Sequence, residues 1–367
     1  MKSLARPLRA RIHLDAVRHN YRQAKHLASP ARALAVIKAN GYGHGAVALA
    51  QALTDEADGF AVACVDEALE LRESGIHNPI LLLEGVFHPD EIAVVDQAGL
   101  WMAVHCREQL EWVLASRPSR PLICWLKMDS GMHRVGLAPD DFAASHARLA
   151  ACPHVGKIVA MSHFARADEP EHPYTAHQIA VFEQGLAGLA LPRSLANSAG
   201  ILAWPQTHGD WIRPGIMLYG LSPLPDAHPV GLQPAMTLES ALISVRDLQP
   251  GEPVGYGGRF VCERPTRVGV AAIGYADGYP RHACDGTPVA VNGQRTRLIG
   301  RVSMDMITLD LTELPDARPG DPVELWGTTI SAHEVAESSD TIAYQLFTGI
   351  SRRVPLFHHS LTNGVAS

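Results

Sequence analysis

The amino-acid sequence predicts an α/β protein with an N-terminal (β/α)8 TIM-like barrel and a C-terminal, mostly antiparallel β domain. Three observations support this: eight short apolar runs recur up to about residue 220, helical patterns separate them, and proline-rich sequence follows Leu221. Eight buried strands alternating with helices fit a barrel better than an open doubly wound sheet. A length of 367 residues leaves room for a second domain.

The predicted barrel strands are, in chain order, Ala33–Ile37, Phe60–Val65, Ile80–Leu83, Trp101–Val104, Leu122–Met128, Ile158–Met161, Ser194–Ala196 and Trp211–Leu218. One of the intervening helices is predicted by apolar residues at the spacing i, i+3, i+4 and i+7, namely Ala46, Leu49, Ala50 and Leu53. Asp66 and Gly75 are the expected cap residues of another helix.

The second domain is predicted from a change in composition along the chain. Four prolines, Pro223, Pro225, Pro229 and Pro234, indicate a linker over residues 221–234. Short β-branched runs separated by Gly, Pro and Asp then follow, namely Leu242–Val245, Val268–Ile273, Val289–Val291, Met306–Leu311 and Val323–Trp326. We therefore predict a barrel domain over 1–230 and a β-strand domain over 231–367.

Composition excludes several classes of protein. Apolar residues make up 47% and charged residues 19%, which is typical of a folded globular chain. The formal net charge of -7 provides no basic field for nucleic acid or an anionic membrane. No apolar run reaches the length of about 18 residues needed to span a membrane, and no signal peptide is evident. We expect a cytoplasmic protein without nucleic-acid or membrane partners.

Functional groups of a (β/α)8 barrel collect where strands end, and the residues that follow the apolar runs are polar here. Lys38 follows the first run and precedes a Gly-rich turn, Lys127 lies in the fifth, and Arg213 lies within the eighth. An apolar environment desolvates an amine, lowers its pKa and favours a covalent bond to a carbonyl cofactor. Lys38 is therefore the first candidate for such a bond.

The segment AVIKANGYGHG (Ala35–Gly45) resembles the lysine signature of alanine racemases, which use pyridoxal phosphate (PLP). Six further segments are similar to that family, in family order: LKMDSGMHRVG (126–136), MSHFARAD (161–168), RPGIMLYG (213–220), VGYGGRF (254–260), GYADGYPR (274–281) and GRVSMDM (300–306). By these motifs the sequence is identified as a member of the family, similar to its proteobacterial biosynthetic and catabolic enzymes.

The resemblance implies that Lys38 binds PLP and is one of two acid/base groups, the other being Tyr256. Racemisation removes a proton from one face of the α-carbon and returns it to the other, so two opposed groups suffice. The tyrosine pKa must fall for this role, and the resemblance assigns the positive environment to His163 and Arg213. An arginine protonates the pyridine nitrogen of PLP poorly, which suits plain proton exchange.

The resemblance also implies a phosphate site formed by Tyr42, Ser198, Tyr344 and the backbone N–H groups of Gly215 and Ile216, with Asn197 as a further cofactor ligand. Phosphate sites of this fold commonly use the loops after strands seven and eight, where Ser198 and Gly215 lie. Taken alone, Ser198 could be only a helix N-cap.

Lys127 resembles the lysine that many family members carry as a carbamate, an anion that orients a neighbouring arginine, here Arg134. Arg134 would then bind the phenolic oxygen of the cofactor and face the substrate carboxylate. The alternative for Lys127 is an ordinary ion pair with Asp129. No metal site is expected, because the His, Asp and Glu residues near His163 lack a recognised ligand spacing.

The predicted substrate contacts are in the second domain. The resemblance assigns the substrate carboxylate to the backbone N–H of Met304 beside Asp305, and places Tyr275 and Tyr344 at a narrow entrance. Small substrates are therefore expected. In the family these groups and Tyr256 reach the barrel of a partner subunit, which implies a head-to-tail homodimer with shared active sites.

Two segments depart from the family pattern: Phe260 replaces a commoner Tyr, and RVPLFHH (Arg353–His359) lacks the second Arg and the Tyr of the usual ending. No expected catalytic group is lost. The predicted function is an alanine racemase that supplies D-alanine as a peptidoglycan precursor, or degrades it. The alternatives are a racemase or decarboxylase of another amino acid, and a non-catalytic PLP carrier, which would not need Tyr256.

Overall fold

Two units make up the computed structural model, which describes residues 6–224 and 231–360. The barrel unit comprises Ala16–Gly41 and Ala46–Gln233; the β unit comprises Met1–Asp15, Tyr42–Gly45 and Pro234–Ser367, as far as they are described. Within the predicted linker, Pro225 and Pro229 lie outside the described residues. No helix in the described ranges is long and apolar enough to cross a membrane.

The strands are β1 (Arg9–His13), β2 (Arg32–Val36), β3 (Gly59–Val62), β4 (Ile80–Leu82), β5 (Trp101–Val104), β6 (Leu122–Lys127), β7 (Val155–Met161), β8 (Arg193–Ser194), β9 (Trp211–Ile212), β10 (Met236–Leu248), β11 (Pro253–Val254), β12 (Phe260–Val261), β13 (Thr266–Ala271), β14 (Pro288–Val291), β15 (Gln294–Leu298), β16 (Ile307–Asp310), β17 (Pro322–Trp326) and β18 (Leu356–His359). The helical segments are α1 (Leu14–Leu27), α2 (Lys38–Tyr42), α3 (Ala46–Leu53), α4 (Val65–Glu73), α5 (Glu91–Ala98), α6 (Arg107–Ala115), α7 (Pro139–Ala150), α8 (Tyr174–Leu186), α9 (Ser198–Ala203), α10 (Ala332–Glu337) and α11 (Ala343–Thr348).

The barrel unit contains eight strands in the order β8-β7-β6-β5-β4-β3-β2-β9, each parallel to its neighbours. The Arg213 N–H donates to the Ala196 carbonyl at 2.9 Å, which joins the segments after β8 and β9 and closes the sheet. The predicted (β/α)8 barrel is confirmed, with a strand in each of the eight apolar runs. The eighth strand is shorter than predicted, because Pro214 and Gly215 end it.

The predicted helix over Ala46–Leu53 is confirmed as α3, and all four of its predicted apolar positions are buried. Gly75 follows α4 with a φ of 83°, the left-handed conformation of a C-terminal glycine. The prediction for Asp66 was wrong, because α4 begins at Val65 with Cys64 as its N-cap. Asp66 lies in the first turn instead, where its charge favours the helix dipole.

Three tryptophans fill the barrel interior near its N-terminal end. The ring centroids of Trp101, Trp125 and Trp211 lie 5.5–6.1 Å apart, and Arg32 stacks 4.0 Å above the Trp211 ring. Trp101, Trp211 and Arg32 each begin their strand. The tryptophan cluster therefore lies away from the C-terminal ends of the strands, where the polar candidate residues follow.

The main sheet of the β unit has the order β13-β16-β15-β14-β17-β10-β1-β18, and β13 also pairs with β10. All pairs are antiparallel except β1 with β18. The antiparallel domain is confirmed, and its five predicted runs all coincide with strands. The assignment of residues 1–230 to the barrel needs a correction, because β1 lies in this sheet and buries Ala10 and Ile12 there.

Truncation of the central indole tests the barrel core. We expect Trp125→Ala to lower the free energy of unfolding by about 3–5 kcal/mol, because a fully buried aromatic side chain leaves a cavity. Chemical denaturation of the purified protein measures this. Trp112→Ala, at a half-buried position on α6, is the matched control and should cost less; equal losses in the two variants would contradict the assignment.

Candidate active site

The candidate cofactor residues of the barrel unit lie at one rim of the barrel, since parallel strands all end there. Lys38 follows β2, Lys127 ends β6, and His163 comes shortly after β7. Asn197 and Ser198 follow β8, and Arg213 follows β9. The structure therefore brings these predicted residues to the C-terminal end of the barrel, which is where this fold carries its active sites.

The chain turns left-handed immediately after Lys38. Residues 39–42 have φ values of 52°, 53°, 61° and 49°, which are unfavourable for L-amino acids and are seldom found in succession. Gly41 donates its N–H to the Ile37 carbonyl at 2.8 Å, and the Asn40 side chain accepts the N–H of Ala46 at 2.9 Å. These bonds hold the turn, which fixes the position of Lys38 at the rim.

Arg213 is only 4% exposed, and backbone carbonyls hold its guanidinium. It donates to the carbonyl oxygens of Ser162 at 2.6 Å, Ser194 at 2.8 Å and Leu195 at 3.1 Å. Burial lowers the Arg213 pKa to about 10, which still leaves it charged near neutral pH. Neutral carbonyls orient the guanidinium without cancelling its charge, so the rim keeps a fixed positive charge.

Lys127 is 7% exposed, with three cations and the carboxylate of Glu84 near enough to act on its charge. Burial lowers its pKa to about 8, and the nearby charges of Arg213, Arg134 and Lys38 contribute. No carboxylate lies within ion-pair distance of these four cations in the described part of the chain. A buried amine in these surroundings is partly neutral near neutral pH.

The expected alternative partner of Lys127 is engaged elsewhere. Asp129 accepts the N–H groups of Gly131 at 3.0 Å and His133 at 2.9 Å, and its other oxygen lies 3.1 Å from the His133 ring. The ion pair between Lys127 and Asp129 does not form. Asp129 instead shapes the loop that carries Arg134.

His163 shares the positive environment of the rim. Its Nδ1 lies 3.5 Å from the Arg213 guanidinium. Burial, followed by the charges of Arg213 and Lys127, holds the His163 pKa well below its usual value. The imidazole is therefore neutral at physiological pH, and Arg213 is the permanent cation of the pair.

The loops after β8 and β9 are joined through Ser198. Its buried Oγ accepts the N–H of Gly215 at 2.9 Å and that of Met217 at 3.3 Å. The interpretation of Ser198 as a helix cap was wrong, because Asn197 caps α9 by accepting the Gly200 N–H at 2.9 Å. Ile216 begins a short 3-10 turn, where the first N–H groups have no partner within the turn.

The β unit brings two pairs of predicted residues together. The rings of Tyr42 and Tyr344 lie 5.9 Å apart, and burial raises the Tyr42 pKa to about 12. Tyr275 and Met304 lie on adjacent loops of this unit. Tyr256 lies in a turn after β11 and is 72% exposed.

Ser194 was not predicted as a site residue, yet its carbonyl and its Oγ both accept hydrogen bonds from Arg213. The only local feature that could have pointed to Ser194 is a polar residue in an otherwise apolar run. Asp277 was missed as well, although it is fully buried in the β unit. Both act through residues distant in sequence, which local patterns do not reveal.

Comparisons with known proteins cover nearly the whole chain. The family model of the alanine racemase N-terminal domain matches residues 12–223, and that of the C-terminal domain matches residues 235–358. The chain is 58% identical over 352 residues to an alanine racemase of Pseudomonas taetrolens, covering 95% of this chain and 98% of that protein. It is 56% identical over 352 residues to a catabolic alanine racemase of Pseudomonas aeruginosa, with the same coverage.

Solved structures of alanine racemases are also similar to this chain. The biosynthetic alanine racemase of Pseudomonas aeruginosa has a TM-score of 0.94 and 51% identity, covering 97% of this chain and 100% of that one. The alanine racemase of Bartonella henselae, solved with covalently bound pyridoxal phosphate, has a TM-score of 0.89 and 30% identity, with coverages of 97% and 100%.

The lowered pKa of Lys127 predicts a stability penalty in the cofactor-free protein. One pKa unit corresponds to about 1.4 kcal/mol, so we expect Lys127→Met to raise the free energy of unfolding by roughly 3 kcal/mol near neutral pH. As the pH rises above about 8, Lys127 loses its proton in the folded state before it does so in the unfolded state. The cost of burying the charge therefore shrinks toward pH 10.5, and the stability advantage of Lys127→Met shrinks with it.

Urea denaturation in CO2-free buffer, at about pH 7 and about pH 10, measures this difference. Lys157→Met, at an exposed position of neighbouring β7, is the matched control and should be neutral. A Lys127→Met protein no more stable than wild type at the lower pH would contradict the prediction.

Proposed function

This chain belongs to the alanine racemase family and is an amino-acid isomerase, and from that premise we propose that it interconverts L- and D-alanine with PLP bound covalently to Lys38. One observation carries the proposal. Lys38, Lys127, Arg134 and Arg213 converge on one another at the rim, and among the described residues no carboxylate pairs with them. Such a site favours an anionic occupant, and PLP carries both a phosphate and a phenolate.

The residues present fit this cofactor. Lys38 would hold its carbonyl carbon and Arg213 would face the pyridine nitrogen. Ser198, with the N–H groups of Gly215 and Ile216, would hold the phosphate at the joined loops after β8 and β9. Asn197 supports the same loop from its cap position. For Tyr42 and Tyr344, the support for a phosphate role is the sequence resemblance and their mutual contact.

When bound, PLP supplies an electron sink that makes the α-C–H bond of an attached amino acid acidic. Arg213 limits the strength of that sink. Its pKa of about 10 and its anchoring by carbonyl oxygens keep the proton on the guanidinium rather than on the cofactor ring. The chain thereby favours proton exchange over reactions that need a fully delocalised carbanion.

Proton transfer is assigned to two side chains. The Nζ atom of Lys38 would move the proton on one face of the α-carbon, and the Tyr256 Oη of a second subunit would move it on the other. Arg213 would provide the positive charge near this tyrosine, with the neutral His163 ring beside the guanidinium. Support for the second subunit comes from large apolar side chains exposed in the β unit: Tyr256, Met304 and Met306.

Lys127 is proposed to react with CO2. Its neutral amine would form a carbamate and release one proton, replacing a buried cation by an anion. The pKa of about 8 makes the neutral form available, and the surrounding cations would stabilise the product. The carbamate would orient Arg134 toward the cofactor phenolate and the substrate carboxylate.

Substrate selection is assigned to the β unit. The Met304 N–H would bind the substrate carboxylate, with Asp305 beside it, and Tyr275 and Tyr344 would narrow the entrance. A small substrate such as alanine is expected on this account. A cytoplasmic location stays a prediction of the sequence.

Variants of the two proton-transfer residues test the proposal. We expect Lys38→Ala to lose both activity and the visible absorbance of covalently bound PLP. Tyr256→Phe should keep that absorbance but lose activity by about 100-fold or more, since positioned acid/base groups contribute about 10²–10⁴-fold. Racemisation of L-Ala, L-Ser, L-Lys and L-Arg is followed by chiral chromatography. A preference for a long side chain, or full activity of Tyr256→Phe, would defeat the mechanism.

Carbamylation of Lys127 has a direct spectroscopic test. Enzyme equilibrated with ¹³C-bicarbonate should show a carbamate carbon resonance that weakens as the pH falls below about 8, because protonated amine cannot react. The resonance should be absent from Lys127→Met and present in the Lys157→Met control. An identical spectrum for wild type and Lys127→Met would rule out the modification.

A further inference from the structure

Two segments of the sequence remain without a function in the proposed mechanism: the basic stretch before β1, and the C-terminal RVPLFHH segment with its atypical ending. The described residues of both segments belong to the β unit. Each contributes one arginine, Arg6 and Arg353, and these two guanidinium groups approach the same pair of aspartates, Asp277 and Asp305.

Asp277 is the buried member of the group. Its side chain has no solvent exposure, and its Oδ1 lies 2.7 Å from Arg6 Nη1 and 3.4 Å from Arg353 Nε. Its Oδ2 accepts the N–H of Gly274 at 2.9 Å. A buried carboxylate is tolerated only when it is paired and hydrogen-bonded, so both arginines are needed to compensate it fully.

The same two arginines hold Asp305. Arg353 Nη2 lies 2.6 Å from its Oδ1, and Arg6 donates to its backbone carbonyl. The Asp305 carboxylate is thus occupied by Arg353, which differs from the substrate contact expected from the resemblance. We name the four side chains, Arg6, Arg353, Asp277 and Asp305, the arginine clamp.

The clamp joins two loops that already touch. Gly274, Tyr275 and Asp277 lie on the loop over residues 274–279, and Met304 and Asp305 lie on the loop over residues 302–306. The Tyr275 N–H donates to the Ser303 carbonyl at 3.0 Å, and the Ala276 N–H donates to the Met304 carbonyl at 3.0 Å.

The approach of the two loops leaves no room for a side chain at residue 274. A Cβ there would lie 2.3 Å from the Ser303 carbonyl oxygen. The backbone around Met304 is therefore placed by its packing against residues 274–276. The arginine clamp connects both loops to the segments that precede β1 and β18.

We propose that Arg6 and Arg353 are positioning residues that hold the Met304 N–H and the Tyr275 ring in their working places through Asp277 and Asp305. This inference rests on the proposed function, in which Met304 binds the substrate carboxylate. The geometry assigns Asp305 to positioning rather than to substrate contact. An N–H displaced by as little as about 1 Å binds a carboxylate poorly, so loss of the clamp weakens substrate binding.

Single substitutions test the clamp in the PLP-loaded enzyme. Arg6→Met and Arg353→Met each leave Asp277 one guanidinium partner and the Gly274 N–H, so we expect the fold to be retained. We expect the KM for alanine and the Ki for propionate, a carboxylate without an amino group, to rise about tenfold, with kcat and the PLP absorbance nearly unchanged. Arg353→Lys should recover only part of the loss, because an ammonium lacks the planar fork that reaches both aspartates.

The matched control is Arg264→Met, which removes an exposed 2.7 Å ion pair with Glu313 elsewhere in the β unit. It should leave KM and Ki unchanged. Hydrogen exchange followed by mass spectrometry supplies a readout that does not depend on activity: peptides over residues 274–279 and 302–306 should exchange faster in the clamp variants, while the β10 and β13 strands keep wild-type rates.

Unchanged KM, Ki and loop exchange in the clamp variants would overturn the inference. Faster hydrogen exchange throughout the β unit would overturn it as well, because that result indicates a general loss of stability. A wild-type enzyme that fails to racemise alanine would refute the proposed function separately. Propionate binding and loop exchange would still decide whether the clamp positions the Met304 loop.

Discussion

The barrel unit depends on one electrostatic constraint: several positive groups occupy one rim, and in the described part of the unit no carboxylate pairs with them. Burial, followed by repulsion from the neighbouring cations, lowers the pKa of Lys127 to about 8 and keeps His163 neutral. Such an arrangement lowers the stability of the empty protein, because the buried Lys127 amine loses hydration without gaining a carboxylate partner. Under the proposed function a highly charged anion binds at this rim, and its binding would raise the free energy of unfolding.

The scaffold holds these groups by neutral contacts. Carbonyl oxygens after β7 and β8 orient Arg213, and the left-handed turn over residues 39–42 fixes Lys38. Ser198 joins the loops after β8 and β9 through the Gly215 N–H. Because none of these contacts cancels a charge, the position of each group is set independently of its electrostatic role. Charges that are held in place in this way remain available to stabilise charge on a bound ligand.

The β unit follows the opposite rule. Asp277 is buried between Arg6 and Arg353, and Arg353 continues to Asp305, so charges of both signs compensate one another. The half-exposed pair of Arg353 and Asp305 adds little stability alone. Its effect is geometric, because it connects two loops that carry candidate substrate contacts. Paired charges connect two loops in the β unit, whereas the rim charges that lack a carboxylate partner form the proposed binding site of the barrel unit.

The sequence by itself determined the fold class and the barrel strands, because burial on both faces gives parallel strands an apolar run that is visible locally. It also placed Lys38 and Lys127 near strand ends, which in a barrel means one rim, whereas Arg213 was predicted within the eighth strand and follows it only because that strand ends at Ile212. Tertiary structure alone decided that β1 pairs with β10 and β18, that Ser198 binds Gly215, and that Asp129 turns away from Lys127. Hydrogen-bond partners distant in the chain are chosen by how strands and loops pack, and periodicity carries no information about them.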